Sequence, residues 1–107
     1  MDRELLRTTF VSPSSLIPRQ NSREMTKSRV NSLRKKIRKY GYDADKPIEV
    51  AEVDGKLVII DGHHRYQASV RERLAEVPIE VYKVSSETQK EYLEDTAEAR
   101  GYSEDSF

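Results

Sequence analysis

Lys56-Leu57-Val58-Ile59-Ile60-Asp61-Gly62-His63-His64-Arg65 is the stretch on which the reading of this 107-residue chain turns. Four consecutive apolar residues, Leu57 to Ile60, predict a strand buried on both faces and therefore central in its sheet. Asp61-Gly62 ends it, and a helix is expected from about His63 to Leu74, with Ala68, Val70 and Leu74 among its packing candidates. Just upstream, Asp54-Gly55 is a tight hairpin turn that joins this strand to a preceding one at Ile48–Val53.

Arg7-Thr-Thr-Phe-Val11 is β-branched and aromatic and predicts a short strand, which Ser12-Pro13-Ser14-Ser15 breaks. Leu16 to Arg23 reads as a loop with a proline-enforced turn. Val30, Leu33, Ile37 and Tyr40 recur at helical steps and predict a helix over 26–40, capped by Thr26 or Ser22 and closed at Gly41. Val77–Val84 is a further strand, and Ser86 with Gln89 forms a capping-box signal for a last, acidic helix to about Ala99. Residues 100–107 are expected to fray. The order predicts an α/β (α+β) fold, a single domain over 1–107 with a small mixed sheet flanked by helices.

Composition narrows the classes. Leu, Ile, Val and Phe account for 24 residues, so the core is thin. With no cysteine there is neither a disulfide framework nor a thiolate metal site. No apolar run is long enough to span a membrane, and a cytoplasmic protein is expected. A net charge of zero conceals an asymmetry, because residues 1–47 carry 12 basic and 5 acidic side chains. Between Lys27 and Lys39 the helix bears Lys27, Arg29, Arg34, Lys35, Lys36, Arg38 and Lys39 with no acid, a cluster that self-repels unless an anion offsets it. A polyanion partner is one reading of that split; two mutually attracting, solvated halves are the other.

Asp61-Gly62-His63-His64-Arg65 carries the chemistry. A helix N-terminus presents free N–H groups and partial positive charge, Gly62 admits a ligand close to the backbone, and Arg65 is a fork suited to phosphate oxygens. The two imidazoles, the only ones in the chain, can pass protons or ligate a metal. Each also has a structural reading: Asp61 as a helix cap, Arg65 as an ion-pair partner. Adjacent helical residues diverge by roughly 100°, so one histidine, expected to be His63, packs or bonds to backbone.

These residues resemble the ParB/sulfiredoxin-like domain family, and within it the short ParB-like members of bacterial toxins and phages. The resemblance runs over about 8–84: Ser14-Ser15-Leu16-Ile17-Pro18-Arg19-Gln20, the helix around Val30 and Leu33 to Gly41, Pro47-Ile48-Glu49-Val50, Asp54 to Ala68, and Val77-Pro78-Ile79-Glu80-Val81. Sulfiredoxins use a cysteine where His63 stands, so their sulfinic-acid repair is excluded. Chromosome-partition members carry Gly-Glu-Arg-Arg at this loop and bind CTP, but their downstream motif and helix-turn-helix domain do not follow Val84 here. Arg73 stands where many relatives close the helix with glycine.

The resemblance implies two catalytic readings. In the first, a ParB-like nuclease, His64, His63 and Asp61 are catalytic, and Asp61 and His64 hold a divalent Mg or Mn ion. Gly62, Arg65, Gln20 and Arg23 bind phosphate, and Lys27, Arg34, Lys35, Lys36, Arg38 and Lys39 contact nucleic acid, DNA before RNA. Toxin-borne members also imply an immunity-protein partner. In the second, the loop grips a free nucleotide (ATP, ADP or CTP) for a small-molecule kinase or a nucleotide switch, with Glu24 or Asp61 as base. A non-catalytic regulatory module is the third expectation. No membrane partner is expected.

Overall fold

The computed structural model describes residues 3–21 and 23–105. Among them five strands, β1 (Arg3–Val11), β2 (Leu16–Ile17), β3 (Ile48–Val53), β4 (Lys56–Asp61) and β5 (Val77–Val84), make one mixed sheet in the order β1-β5-β3-β4-β2. Three helices accompany it: α1 (Lys27–Tyr40), α2 (His63–Arg71) and α3 (Ser86–Asp105). β3 pairs antiparallel with β4 through the hairpin, in which Asp54 (φ 51°) and Gly55 (φ 76°) take the two positive-φ positions of a primed turn. β5 runs parallel to β3 and antiparallel to β1.

Strand alternation divides the core between the two faces. Ile48, Val50, Ile59, Val77, Ile79 and Val81 form a cluster on one face, packed with Tyr42, Tyr66 and Leu74. Met25, Val30, Ile37 and Ala68 join α1 to α2, and share Tyr42 and Leu74 with the first cluster. Ala51, Val53, Val58 and Val84 face the other way and meet Tyr92 and Leu93 of α3. Burying each of the fully enclosed valines and isoleucines contributes roughly 1.5–3 kcal/mol, so this thin two-faced core is what holds the sheet.

Several expectations are corrected. β1 starts at Arg3 rather than Arg7, because the Arg3 guanidinium bonds Glu49 at 2.8 Å and lies over the Tyr82 ring, partners that propensity does not reveal. Leu16-Ile17, read as loop, pairs in parallel with Leu57 and Val58. Tyr40 leaves the apolar stripe of α1 and is 76% exposed, and Val70 also faces solvent. α2 stops at Arg71, three residues short, where Arg73 (φ 54°) closes a Schellman turn: its N–H bonds Val70 O and the Leu74 N–H bonds Ser69 O.

The remaining differences lie at helix ends. α3 is capped by Ser85, whose hydroxyl accepts the Thr88 N–H at 3.2 Å, in place of the Ser86–Gln89 box. It continues to Asp105. Thr26 occupies the start of α1 without a side-chain cap, and Ser22 lies outside the described residues. Asp61 is not a cap either: it ends β4 with its side chain 73% exposed, and Gly62 takes the N-cap position of α2.

Candidate functional site

The site forms where β4 gives way to α2. The strand must turn sharply to lay the helix back on the sheet, and Gly62 makes that turn at φ 104°, a backbone region that residues with a Cβ rarely enter. A Cβ at Gly62 would sit 3.1 Å from Arg65 Nη2 and 3.5 Å from both Arg65 Nε and the Ile48 backbone. The absent side chain therefore lets the guanidinium pack closely over the turn. A cavity of about 140 Å³ opens there, lined by Gln20, Arg29, Asp61, Gly62, His63, His64 and Arg65.

Both histidines turn their Nε2 atoms to backbone. His63 Nε2 accepts the Arg19 N–H at 3.0 Å and His64 Nε2 accepts the Thr26 N–H at 3.1 Å. A neutral imidazole that accepts at Nε2 carries its proton on Nδ1, so each ring keeps a donor and has spent its lone pair. Burial drives the His63 pKa down to about 4, with Arg19 reinforcing the effect and Asp61 opposing it. His64 is lowered too, by burial and then by Arg29.

Arg65 is held partly inside. Its Nη2 stands 3.9 Å from Asp61 Oδ2, a loose contact, while its Nε–H is buried and has no hydrogen-bond acceptor among the described residues. A buried donor left open costs about 1–3 kcal/mol, and an oxygen atom placed beside it recovers that loss. The Tyr42 phenol lies close by, and its pKa is raised by burial against the lowering influence of Arg65.

Arg19 organises the whole corner, a role its position in a loop did not disclose. β2 ends at Ile17 because Pro18 has no N–H to continue the ladder. The Arg19 side chain continues it instead: Nε donates to Ile59 O at 2.7 Å and Nη2 to Ile60 O at 2.9 Å. Nη1 reaches Asp95 of α3 at 2.9 Å, and the guanidinium lies over the Tyr92 ring. The proline followed by a bidentate donor was the available signal.

The sequence-predicted residues thus separate. Asp61, Gly62, His63, His64, Arg65 and Gln20 meet in one cavity, joined by Arg29, which was not singled out for it. Arg23 lies outside, on a second cavity between the 19–24 loop and α3, with Glu24. On α1, Arg34 and Arg38 are engaged by Glu72, at 2.6 and 3.1 Å, so the helix does have an acidic partner, supplied from the end of α2. Lys27, Lys35, Lys36 and Lys39 remain exposed. The donor set does not suit a resident divalent ion on Asp61 and His64. Nε2 is occupied, Asp61 is turned to solvent, and among the described residues no three His, Asp or Glu side chains gather to hold a metal.

A family model of the ParB N-terminal domain matches residues 3–94. The chain belongs to that family. No curated protein matches the chain. Among solved structures, sulfiredoxin from Arabidopsis thaliana is similar at 26% identity, with 82% of this chain and 98% of that one covered and a TM-score of 0.67. The chromosome-partitioning protein ParB from Caulobacter crescentus, complexed with CTP-gamma-S, is similar at 24% identity over 80% of this chain and 49% of that one, TM-score 0.64. A free serine kinase in complex with AMP follows at 19% identity, covering 73% and 32%, TM-score 0.60. This chain therefore spans about half of that ParB protein and a third of the kinase. The ParB-domain fold read from the sequence is the fold observed.

Proposed function

We propose that the cavity at the start of α2 binds the phosphate groups of a nucleotide. The observation that carries this reading is the buried, acceptorless Nε–H of Arg65 beside the space where Gly62 lacks a Cβ. A phosphate oxygen satisfies that donor, and the unpaired N–H groups of the first helical turn and the positive end of the helix dipole favour the same anion. With both Nε2 atoms engaged, His63 and His64 act as neutral Nδ1–H donors rather than metal ligands. Gln20 supplies an amide, and Arg29 a second guanidinium, on the same cavity. The CTP-gamma-S of the ParB structure and the AMP of the kinase structure support a nucleotide as the ligand.

The test is calorimetric titration of the chain with CTP, ATP, ADP and AMP, beside the Arg65→Ala variant. Binding of at least one of them, weakened tenfold or more in the variant at unchanged melting temperature, is the expected result. An Arg65→Ala protein that binds equally well assigns Arg65 to structure and overturns the reading.

One observation favours a second reading, the ParB-like nuclease acting on nucleic-acid phosphodiesters. Lys27, Arg29, Lys35, Lys36 and Lys39 remain exposed on α1, more cations than a mononucleotide engages. Incubation of supercoiled plasmid and total RNA with the protein, with Mg²⁺, Mn²⁺ or chelator and a His64→Ala control, decides it. Cleavage lost in the variant supports the nuclease; intact substrate under every condition removes it.

A further inference from the structure

A third cavity lies between the start of α1 and α2. It has a volume of about 220 Å³ and is lined by Met25, Lys27, Val30, Gln67 and Arg71. The hydrogen bond between His64 Nε2 and the Thr26 N–H links its lining to that of the phosphate cavity: His64 belongs to that first cavity, and Thr26 immediately precedes Lys27 of the other. Together they make one groove between the start of α1 and the flank of α2.

The spacing along α2 is regular. His64, Gln67 and Arg71 stand at i, i+3 and i+7 and share one flank. From His64 to Arg71 the helix advances two turns, about 10 Å. At the far end Lys27 and Arg71 are both exposed, and neither makes an ion pair among the described residues. Between the ends, the Gln67 amide offers a donor and an acceptor over a floor made by Met25 and Val30, both buried. The groove therefore has a cationic subsite at each end and an amphipathic patch between them. A mononucleotide whose phosphates fill the first cavity has no anion left for the third.

We infer that the groove binds a single-stranded nucleic acid, with one phosphate at Arg65 and a later one on the same strand at Lys27 and Arg71. This deepens the phosphate-binding reading of the first cavity and rests on it. A single strand fits because its unstacked base can enter a cleft between two packed helices and meet Gln67, Met25 and Val30, while a stacked base pair cannot. The strand lies along the groove. Arg34 and Arg38 contribute little, since Glu72 already engages them.

The test compares a fluorescein-labelled ten-nucleotide single strand, by anisotropy, with CTP and ADP, by calorimetry. The proteins are the wild-type chain, Arg65→Ala and the double variant Lys27→Ala/Arg71→Ala. Each phosphate contact on a single strand contributes roughly 0.7 to the slope of log affinity against log salt. The double variant is therefore expected to lose about 0.7 of that slope and tenfold or more in oligonucleotide affinity, with mononucleotide affinity unchanged. Arg65→Ala weakens both ligands. An unchanged slope in the double variant overturns the inference while the Arg65 result leaves the phosphate reading standing. A duplex that binds as tightly as the strand, with the same loss in the double variant, also overturns it. Failure of mononucleotide and oligonucleotide alike to bind overturns both.

Discussion

His63 and Arg19 hold one another in place: the imidazole Nε2 accepts the Arg19 backbone N–H at 3.0 Å, and the Arg19 side chain ties the strand leading to His63 to α3. A neutral, buried imidazole thus sits at the centre of the clasp. Protonating it would remove the lone pair that accepts the bond and would place a cation beside the Arg19 guanidinium.

That relationship sets a pH dependence. His63 has an ordinary pKa near 6.5 when unfolded and about 4 when folded. Below 6.5 the unfolded chain takes up a proton that the folded chain refuses, so stability falls as pH drops. The loss begins near 6.5 and is complete just below 4, amounting to about 3 kcal/mol. Urea unfolding between pH 7.5 and 4 should show this decline, and His63→Gln should flatten it at a lower overall stability. An unchanged pH profile in the variant would assign the acid sensitivity to other groups.

Gly62→Ala should damage the site more than the fold. The added methyl meets Arg65 Nη2 at 3.1 Å, and the φ of 104° strains any residue with a Cβ. A cost of about 1–3 kcal/mol is expected from the backbone conformation. Phosphate-ligand affinity should fall tenfold or more, because the guanidinium is displaced from the cavity the methyl now fills. Retained affinity with only a lower melting temperature would mean that the ligand does not enter beside Gly62.

Glu72 gives a prediction in which stability and binding move oppositely. Its side chain is 10% exposed and engages both Arg34 and Arg38. Glu72→Gln should cost about 1–2 kcal/mol, since a partly buried charged hydrogen bond is lost while Arg38 stays solvated. The same change frees two guanidinium groups on α1, so nonspecific nucleic-acid affinity should rise and its salt dependence steepen. A variant that is destabilised with no gain in affinity would place the nucleic-acid contact away from this side of α1.

Legibility in the sequence followed the range of the interactions involved. The hairpin was plain, because Asp54-Gly55 between apolar runs is a local instruction, and β3 and β5 fall where the alternation placed them. The cluster from Asp61 to Arg65 was legible for the same reason: a strand, a glycine and a helix start are contiguous. What escaped depends on partners far along the chain. Arg19 acts through Ile59, Ile60 and Asp95, up to 76 residues away, and Arg34 through Glu72, 38 residues away. Periodicity could place Tyr40 on the apolar stripe of α1 but could not show that the cluster joining α1 to α2 stops short of it. Nor could it show that both Nε2 atoms are engaged by backbone N–H groups.

The end of α2 supplies a final prediction. Arg73 takes the left-handed position of a Schellman turn at φ 54°, which costs a residue with a Cβ roughly 1–2 kcal/mol. Its N–H and that of Leu74 nevertheless close the turn on Val70 and Ser69, because Leu74 packs against both core clusters that meet beneath α2. Glycine at this position removes the strain but admits more unfolded conformations, which offsets part of the gain. Arg73→Gly should therefore stabilise the protein by about 0.5–1 kcal/mol, a rise of a few degrees in melting temperature. Because Arg73 lines neither cavity of the groove, ligand affinity at the Arg65 site should stay the same. A melting temperature that falls would show that the Arg73 side chain contributes more than its backbone strain removes.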